Sequence, residues 1–328
     1  MNNEAITVII PTYNGSDLLR AALDSLMTQT YTNFCVLIND DGSDTDEFTS
    51  IKGLVDEYSI LNITLISNKN NVGCAKNRQR ALEYVKQHPT KYITWLDSDD
   101  LFLPYTLERL FNFAEQKEAD IVIPSFEYYY KDSIEQNITD CDRTQTWLHG
   151  KLYNLNFIID KNLYFCDKFN TNEDLFFNLC AYAKTEKLFL LNENLYISRY
   201  NENSITKSKS LSSKNCISND YLECLYYAYN ETENKKIIIV NISELYNHYQ
   251  NALAFKLLTK EIIGHIKEML HADGVLKELI QYIKTGELKV QTMVLDNTTI
   301  LFYAQSFGTW LTSFFTSDEI IKVLKEIE

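Results

Sequence analysis

Positive charge is scarce in this sequence, and the scarcity excludes one class of partner. Lysine and arginine together number 31 against 45 aspartates and glutamates, so the 328 residues carry a net charge of −14. Binding to a phosphate backbone needs clustered cations, and no such cluster occurs. We therefore expect no nucleic-acid partner. An acidic chain that handles a phosphorylated ligand usually takes the missing positive charge from a metal ion.

Paired cysteines, a leader segment and long apolar runs are also lacking. The seven cysteines form no Cys-x-x-Cys pair, which is typical of reduced thiols in a cytoplasm. No charged leader precedes an apolar core at the beginning of the sequence. The longest apolar stretch, residues 300–315, is interrupted by polar residues and is too short to span a bilayer. We expect a cytoplasmic protein with no transmembrane segment, in solution or peripheral at the inner face of the membrane.

The first two hundred residues alternate short β-rich runs with helical patterns. Apolar runs predict strands and a period near 3.6 predicts helices; the strands are expected at residues 6–10, 34–38, 63–66 and 92–96, and the helices at 18–27 and 73–86. Continuous apolar strands alternating with helices indicate a parallel sheet buried on both faces. Polar clusters follow three of these strands, at residues 11–15, 39–46 and 97–100. Ligands of such sheets bind at the carboxyl ends of the strands, so the clusters should converge.

The last third of the chain has a different character. It contains no proline, and apolar residues recur at helical spacing over residues 245–270 and again over 275–283. A capping-box pattern at residues 316–319 precedes a final predicted helix. We therefore predict two domains, residues 1–204 and a largely helical domain of residues 205–328, with residues 201–219 as the linker. The helical domain is expected to serve acceptor binding, self-association or docking of a protein partner.

The cluster Asp97-Ser98-Asp99 places two carboxylates on one turn at a strand end. Mg²⁺ and Mn²⁺ take oxygen ligands, typically one or two carboxylates together with the oxygens of a bound diphosphate. A solvated acidic loop ahead of the next helix is the alternative, because acidic groups favour a helix N-terminus. Convergence with the other clusters favours the metal site.

Several motifs together resemble glycosyltransferase family 2 over about residues 5–205. They are Pro11-Thr12-Tyr13-Asn14, residues 40–46 (DDGSDTD), Asn71-Val72-Gly73 with Ala75-Lys76-Asn77, residues 95–100 (WLDSDD) and Glu173-Asp174. The specificity of the resemblance comes from their shared order. It implies an α/β, Rossmann-like fold of the GT-A type, with a mostly parallel sheet flanked by helices. It also implies a nucleotide-sugar donor, usually UDP-linked, a divalent metal, Mn²⁺ or Mg²⁺, and transfer to an acceptor hydroxyl with inversion at the anomeric carbon.

The same resemblance implies roles for individual residues. Pro11, Thr12 and Asn14 would line the nucleoside pocket, Asp41 would accept the base N–H, and Asn71 would lie against the nucleotide. Asp99 would bind the metal directly and Asp97 would contact the donor sugar or ribose. Asp41 is alternatively a turn residue.

Each of three further residues has a candidate role in the site and a structural role as the alternative. Asp174 would be the general base that takes the acceptor proton, or else only a helix cap. Lys76 stands where the family more often has arginine, and would contact the donor or be a surface lysine. Arg199 resembles a family arginine near the diphosphate, or is a charge at a strand end. No histidine receives a role.

Two other functions compete with sugar transfer. A nucleotidyltransferase needs a Gly- and Lys-rich loop after the first strand, which this turn lacks. An inactive, nucleotide-sugar-binding partner subunit stays as the alternative. The acceptor is expected among bacterial surface glycans, lipid-linked glycans or glycoproteins, bound by loops within residues 128–155. The aromatic run Phe126, Tyr128, Tyr129 and Tyr130 would stack on sugar rings or pack in the core.

Overall fold

The chain divides into two compact units, residues 1–207 and residues 208–328; the sequence predicted a division after residue 204. The computed structural model describes residues 4–128, 137–139, 146–169, 171–201, 211–234 and 259–272, residues 274–277 and 279, and the single positions 245, 249, 310, 314, 315, 319 and 322. Of residues 137–139 and 211–218 only the backbone is described.

The first unit begins with strands and helices in alternation. They are β1 (Ile6–Thr12), α1 (Ser16–Met27), β2 (Phe34–Asp40), α2 (Thr45–Glu57), β3 (Ile63–Ser67), α3 (Cys74–Gln87) and β4 (Tyr92–Trp95). The strands and helices predicted for this region all form. β1 and β2 run beyond their predicted ends because their parallel ladder continues through the pair Thr12 and Asp40.

A more irregular half of the same sheet follows. Its elements are β5 (Leu101–Phe102), α4 (Thr106–Lys117), β6 (Ile121–Tyr128), β7 (Asn137–Thr139), β8 (Leu152–Asn154), α5 (Leu155–Asp160), α6 (Glu173–Ala183) and β9 (Leu188–Ser198). The strand order is β3-β2-β1-β4-β8-β6-β9-β5, with β7 also on β6. The strands β1 to β4 pair in parallel and so do β6 and β9, whereas β8 runs antiparallel to both β4 and β6. The predicted α/β sheet is therefore mixed across its second half.

The sheet is buried on both faces, as its continuous apolar strands predict. On one face, Val8 and Ile10 pack with Leu23 of α1 and Leu110 of α4 in a single apolar cluster. On the other face the alternating residues, such as Ile9, are equally buried. Aromatic rings fill that second core; they are Trp95 and Phe165 with centroids 5.2 Å apart, Phe165 stacked on Phe177 at 4.4 Å, and Tyr153 against Phe177 at 5.6 Å.

The register of the parallel strands brings the polar clusters to one edge. Thr12 pairs with Asp40, and Asp40 pairs with Ser67 on the next strand. On the other side of β1, Ile9 pairs with Trp95, so the turn after β4 begins beside the last three residues of β1. We call this side the carboxyl edge of the sheet.

The described part of the second unit is helical. Helices α7 (Leu211–Thr232) and α8 (Lys260–Leu270) pack through the stacked rings of Tyr226 and His265, whose centroids are 3.8 Å apart. The Tyr226 hydroxyl donates a hydrogen bond to Glu268 at 2.9 Å. Because α7 begins at Leu211, residues 211–219 of the predicted linker are helical, which corrects that part of the prediction. Residues 202–210 and most of the predicted final helix lie outside the described residues.

Within the described ranges no helix is both long and apolar enough to cross a membrane. The predicted apolar stretch at residues 300–315 is described only at Trp310, Phe314 and Phe315, which are buried.

The turn after β2 requires a glycine. Gly42 has φ of +72°, and a Cβ atom there would lie 2.4 Å from the carbonyl carbon of Asn70. Gly53, in the middle of α2, has nothing within 4 Å of the same position. Substitution by alanine at Gly53 is therefore a control for the same substitution at Gly42.

We expect Gly42→Ala to destabilise the protein by about 2 kcal/mol or more, because it adds backbone strain and a clash with main-chain atoms. Gly53→Ala should instead stabilise it by about 0.5–1 kcal/mol, since alanine is the better residue in a helix interior. Urea unfolding followed by circular dichroism measures both. Equal effects of the two changes would contradict the assigned turn.

Candidate active site

Asp41 is bound to the start of α3. Its Oδ1 accepts hydrogen bonds from the amide of Val72 at 3.0 Å and from Asn68 Nδ2 at 2.9 Å, and its Oδ2 accepts one from the amide of Gly73 at 2.9 Å. Residue Asp41 is 4% exposed. The predicted base-binding carboxylate is thus already bonded to the two residues that precede α3, and Oδ2 keeps one acceptor position for another donor.

The turns after β1 and β2 are locked to each other. Asn14, at φ of +47°, donates to Asp44 Oδ2 at 3.1 Å and accepts from the Asp44 amide at 2.9 Å. Its own amide donates to Ser43 Oγ at 2.8 Å. Buried Asp40 in turn accepts the hydroxyl proton of Ser67 at 2.7 Å. Asn14 therefore shapes the edge of the pocket through contacts within the protein.

Thr12 is the predicted pocket residue with an unused polar group. It is 4% exposed, and its Oγ1 is buried without a hydrogen-bond partner. A Cβ at Gly15 would lie 3.6 Å from Thr12 Oγ1 and 3.9 Å from Ser98 Oγ, so the turns after β1 and β4 meet here. A buried hydroxyl left unpaired costs free energy, and a ligand donor or acceptor would recover it. Pro11, the preceding residue, is half-buried.

Asn71 and Lys76 are both exposed. Lys76 Nζ lies 3.6 Å from Asp167 Oδ2, with both side chains more than half exposed. The two residues border the first turn of α3 from the solvent side, and Lys76 also lines a surface groove of about 400 Å³ with Arg80 and Tyr164.

Arg78, which the sequence reasoning missed, lies at the centre of the site. Its NH2 donates to Asp97 Oδ1 at 2.7 Å and its NH1 donates to Glu173 Oε1. The side chains of Arg78 and Glu173 are 12% and 8% exposed. One guanidinium thus joins the turn after β4 to the start of α6, although the two carboxylates are far apart in sequence. We call this pair of contacts, from Arg78 to Asp97 and Glu173, the Arg78 bridge.

A helical-wheel signal would have found Arg78. It falls in register with Ala75, Leu82 and Val85, the buried stripe of α3, whereas Lys76 lies on the opposite side of the helix. A charged residue within an apolar stripe is rarely buried unless it is paired.

The three aspartates after β4 have different surroundings. Asp99 Oδ2 accepts a hydrogen bond from Asn201 Nδ2 at 2.9 Å, and burial together with the charge of Asp97 raises the pKa of Asp99. Asp100 is 3% exposed and accepts from the Tyr196 hydroxyl at 2.6 Å. Burial, Asp97 and Asp99 raise the pKa of Asp100 well above its usual range.

Asp97 and Asp100 meet His149 in a grouping able to hold a metal ion. One ligand atom from each of the three lies within 4.8 Å of the others. His149 Nδ1 is buried with no hydrogen-bond partner, and burial lowers the pKa of His149 to about 4, so its ring is neutral near pH 7. We call these residues the Asp-Asp-His group. Asp99, the predicted metal ligand, is not part of this group, and no role was predicted for His149.

Arg199 is hydrogen-bonded to the turn after β4, which carries the three aspartates. Its Nε donates to the carbonyl of Asp99, its NH2 donates to the carbonyl of Leu18 at 3.2 Å, and its amide donates to Asp100 Oδ1 at 2.8 Å. These contacts position the aspartates, and they use two of the five N–H donors of the guanidinium that was predicted to reach the diphosphate.

Asp174 lies in the first turn of α6, beside Glu173. Its Oδ1 accepts a hydrogen bond from the amide of Leu175 at 2.8 Å. Burial, and then the negative charge of Glu173, raise the pKa of Asp174 to about 7. The predicted base therefore sits next to the Arg78 bridge, with a pKa suited to accepting a proton near neutral pH.

Comparison with known proteins decides the family. A model of the family described as "Glycosyl transferase family 2" matches residues 7–171. The chain belongs to glycosyltransferase family 2. The motifs quoted from the sequence therefore led to the right family.

Relatives in this family include bacterial enzymes. Glycosyltransferase GlyA of Streptococcus pneumoniae is 28% identical over 232 residues, 62% of this chain and 32% of GlyA. The Escherichia coli protein named UDP-Glc:alpha-D-GlcNAc-diphosphoundecaprenol beta-1,3-glucosyltransferase WfgD is 30% identical over 134 residues, 41% of this chain and 50% of WfgD. The matches thus span less than two thirds of these relatives' length.

Two solved structures share the fold. TarS of Staphylococcus aureus, residues 1–349 in complex with UDP, superposes with a TM-score of 0.66 at 19% identity, covering 92% of this chain and 87% of that TarS fragment. The mannosyltransferase PcManGT of Pyrobaculum calidifontis, in complex with GDP-Man and Mn²⁺, gives 0.57 at 16% identity, covering 98% and 86%. The predicted GT-A type fold is confirmed.

The Arg78 bridge makes a prediction about stability. Arg78→Met leaves the carboxylates of Asp97 and Glu173 without their cation, and that of Glu173 is buried. We expect the change to destabilise the protein by about 3 kcal/mol or more. Arg109→Met is the matched control, because Arg109 pairs with Glu193 on the surface with a side chain 52% exposed. Its urea midpoint should hardly move. Similar midpoints for the two variants would contradict a structural role of the bridge.

Proposed function

We propose that this chain is an inverting, metal-assisted glycosyltransferase that moves a sugar from a nucleotide-sugar donor to an acceptor hydroxyl. The observation that carries the proposal is the Arg78 bridge, which brings Asp97 and Glu173 together and leaves Asp174 beside them with a raised pKa. A base and a diphosphate-binding turn on one edge are what a single displacement at the sugar needs.

For the donor we propose a UDP-linked sugar. Thr12 Oγ1 and the spare acceptor position on Asp41 Oδ2 would bind the nucleoside, with Pro11 and Asn71 at its sides. The names of relatives support this, since WfgD is a UDP-Glc transferase and TarS was solved with UDP. Asp97 would contact the ribose or donor sugar. Lys76 and Arg199 stay candidates for contacting the donor, and Lys76 is the more exposed of the two.

For the metal we propose Mn²⁺ held by the Asp-Asp-His group. Two carboxylates and one neutral imidazole are a donor set that suits Mn²⁺ better than Mg²⁺, which prefers oxygen alone. The buried, unpartnered Nδ1 of His149 fits such a role. When bound, the ion would offset the charge on the departing nucleoside diphosphate.

For the base we propose Asp174. Its carboxylate would take the acceptor proton as the new bond to the sugar C1 forms, on the face opposite the leaving diphosphate. Glu173 is less suited, because its carboxylate is already paired with Arg78. The product would carry the anomeric configuration opposite to that of the donor.

For the acceptor we propose a glycan, lipid-linked glycan or glycoprotein of a bacterial surface, on the cytoplasmic side of the membrane. The name of WfgD, which acts on a diphosphoundecaprenol-linked sugar, supports a lipid-linked acceptor. Self-association or partner docking through residues 205–328 also stays a prediction.

We expect UDP to stabilise the protein against heat when Mn²⁺ is present and to lose most of that effect with EDTA. At a ligand concentration of 100 times Kd the gain is about 2.7 kcal/mol. His149→Gln should remove the metal-dependent part, since it deletes a proposed ligand. Differential scanning fluorimetry measures each shift.

Asp99→Asn is the informative control, because it tests the ligand predicted from sequence. A shift that survives in Asp99→Asn and is lost in His149→Gln supports the Asp-Asp-His group. A shift that is lost in Asp99→Asn and survives in His149→Gln would instead support Asp99 as the metal ligand. Stabilisation by GDP but not UDP would instead overturn the donor assignment at Asp41.

Asp174→Asn should lower turnover by about a hundredfold or more while UDP binding changes little, because the amide keeps the shape but accepts no proton. In the unaltered protein the rate should rise with pH through about 7, since Asp174 acts as a base only when deprotonated. Stopped assays between pH 5.5 and 8.5 measure that limb, which the Asn variant should lack.

Retention of the anomeric configuration, read by NMR of the product, would rule out the single displacement. Full activity of Asp174→Asn would reduce Asp174 to a helix cap. If the unaltered protein binds UDP yet neither transfers nor hydrolyses UDP-sugars, the inactive-subunit alternative holds.

A further inference from the structure

Trp147 is a large aromatic ring held at the protein surface beside the site. It is 43% exposed, whereas the other two tryptophans of the chain, Trp95 and Trp310, are 1% and 4% exposed. An exposed tryptophan forgoes the free energy that burial of an indole would supply. A ligand that covers the ring would recover part of it.

The ring is fixed in place from several sides. It stacks in parallel on His149, with centroids 5.9 Å apart and 13° between planes, and meets Phe126 edge-on at 5.8 Å. The carbonyl of Trp147 accepts a hydrogen bond from the buried ammonium of Lys151, and the Lys151 amide donates to the carbonyl of Leu148 at 3.0 Å. A rigid aromatic surface binds with little loss of conformational entropy.

The position of the ring relates it to the acceptor. Its neighbour His149 belongs to the Asp-Asp-His group, where the donor diphosphate is proposed to lie. On its other side, Asn178 Nδ2 donates to the carbonyl of Thr146 at 2.6 Å and also to the carbonyl of Asp174 at 3.1 Å. The loop that carries Trp147 therefore contacts both the helix of the proposed base and the Asp-Asp-His group. An acceptor whose hydroxyl reaches Asp174 would lie near this loop.

We propose that Trp147 is a stacking platform for a pyranose ring of the acceptor. The inference rests on the proposed glycosyltransferase function and makes it more specific, because the acceptor is then a saccharide and not a bare lipid or peptide hydroxyl. One face of many pyranoses presents several C–H groups, which pack on an aromatic face while the hydroxyls at the rim stay hydrogen-bonded.

Tryptophan fluorescence tests the contact directly, since Trp147 is the tryptophan that an aqueous quencher reaches. Acrylamide quenching is measured with UDP and Mn²⁺ present, with and without methyl β-glycosides of glucose, galactose and N-acetylglucosamine. We expect at least one glycoside to reduce the quenching in a saturable way. In Trp147→Phe both the quenching and the response to glycoside should largely disappear.

Saturation-transfer NMR of the same glycosides gives a readout for the variants. Trp147→Ala should lower the transferred signal about tenfold, a scale typical of losing an aromatic anchor, and Trp147→Tyr should restore most of it. Tyr105→Ala is the matched control, because Tyr105 is 44% exposed and lies at the start of α4. It should leave the signal unchanged. An unaltered thermal shift with UDP and Mn²⁺ shows that each variant is folded.

The outcomes separate the two proposals. If UDP and Mn²⁺ stabilise the protein and no glycoside shields or contacts Trp147, the platform is wrong and the proposed function stands. If UDP has no effect but glycosides still shield Trp147, the platform stands as a saccharide site and the proposed function fails. If neither ligand acts, or if Trp147→Ala keeps the full glycoside signal, the platform is overturned.

Discussion

The site depends on one buried cation. Burial alone would lower the pKa of Arg78, but the charges of Asp97 and Glu173 outweigh it and hold that pKa well above its usual range. The guanidinium therefore stays charged and fixes three elements at once: the helix that carries it, the turn after β4 and the first turn of α6. Its planar fork suits two carboxylates in a way that a lysine ammonium would not. The two halves of the site are consequently positioned by the same side chain.

The remaining carboxylates are crowded and share too little positive charge. Burial and mutual repulsion raise the pKa values of Asp99, Asp100 and Asp174. A carboxyl whose pKa is raised on folding favours the folded state while it is protonated, and this contribution is lost as the pH rises through the folded pKa. Carboxylates crowded in this way would be stabilised by a divalent cation bound between them.

Local patterns in the sequence predicted most of the first half of the fold, although not α2, whose first residues were assigned only to a polar cluster. The β-branched run of β1 and the apolar spacing of α1 predict their elements because both are buried on well-defined faces. The alternative that placed Asp174 at a helix start agrees with its position in the first turn of α6. The strand β8 could not be anticipated, since its three residues, Leu152–Asn154, gain strand structure only by pairing between β4 and β6. The mixed half of the sheet follows from such tertiary pairing.

The candidate site also contains residues that local sequence patterns predict and residues that only the fold brings together. Residues in recognisable motifs, such as Asp97 and Asp174, were named from the sequence. His149 and Trp147 were not, because they belong to a loop with no local pattern and acquire neighbours only when the loop folds over Tyr196. Phe126, expected to pack in the core or stack on sugars, is 1% exposed and packs in the core. Tyr129 and Tyr130 lie outside the described residues.

The bonds from Asp41 to the amides of Val72 and Gly73 limit how phosphate can be held here. In many nucleotide-binding folds the first amides of a helix after a strand point at a phosphate and supply a partial positive charge. Just before α3 the amides of Val72 and Gly73 are instead occupied by a carboxyl group of the protein itself. Negative charge at this position opposes the approach of a phosphate to the N-terminus of α3. An anionic ligand at this edge must find its counter-charge elsewhere, which makes the chain dependent on its ionic surroundings in a way that a glycine-rich phosphate loop is not.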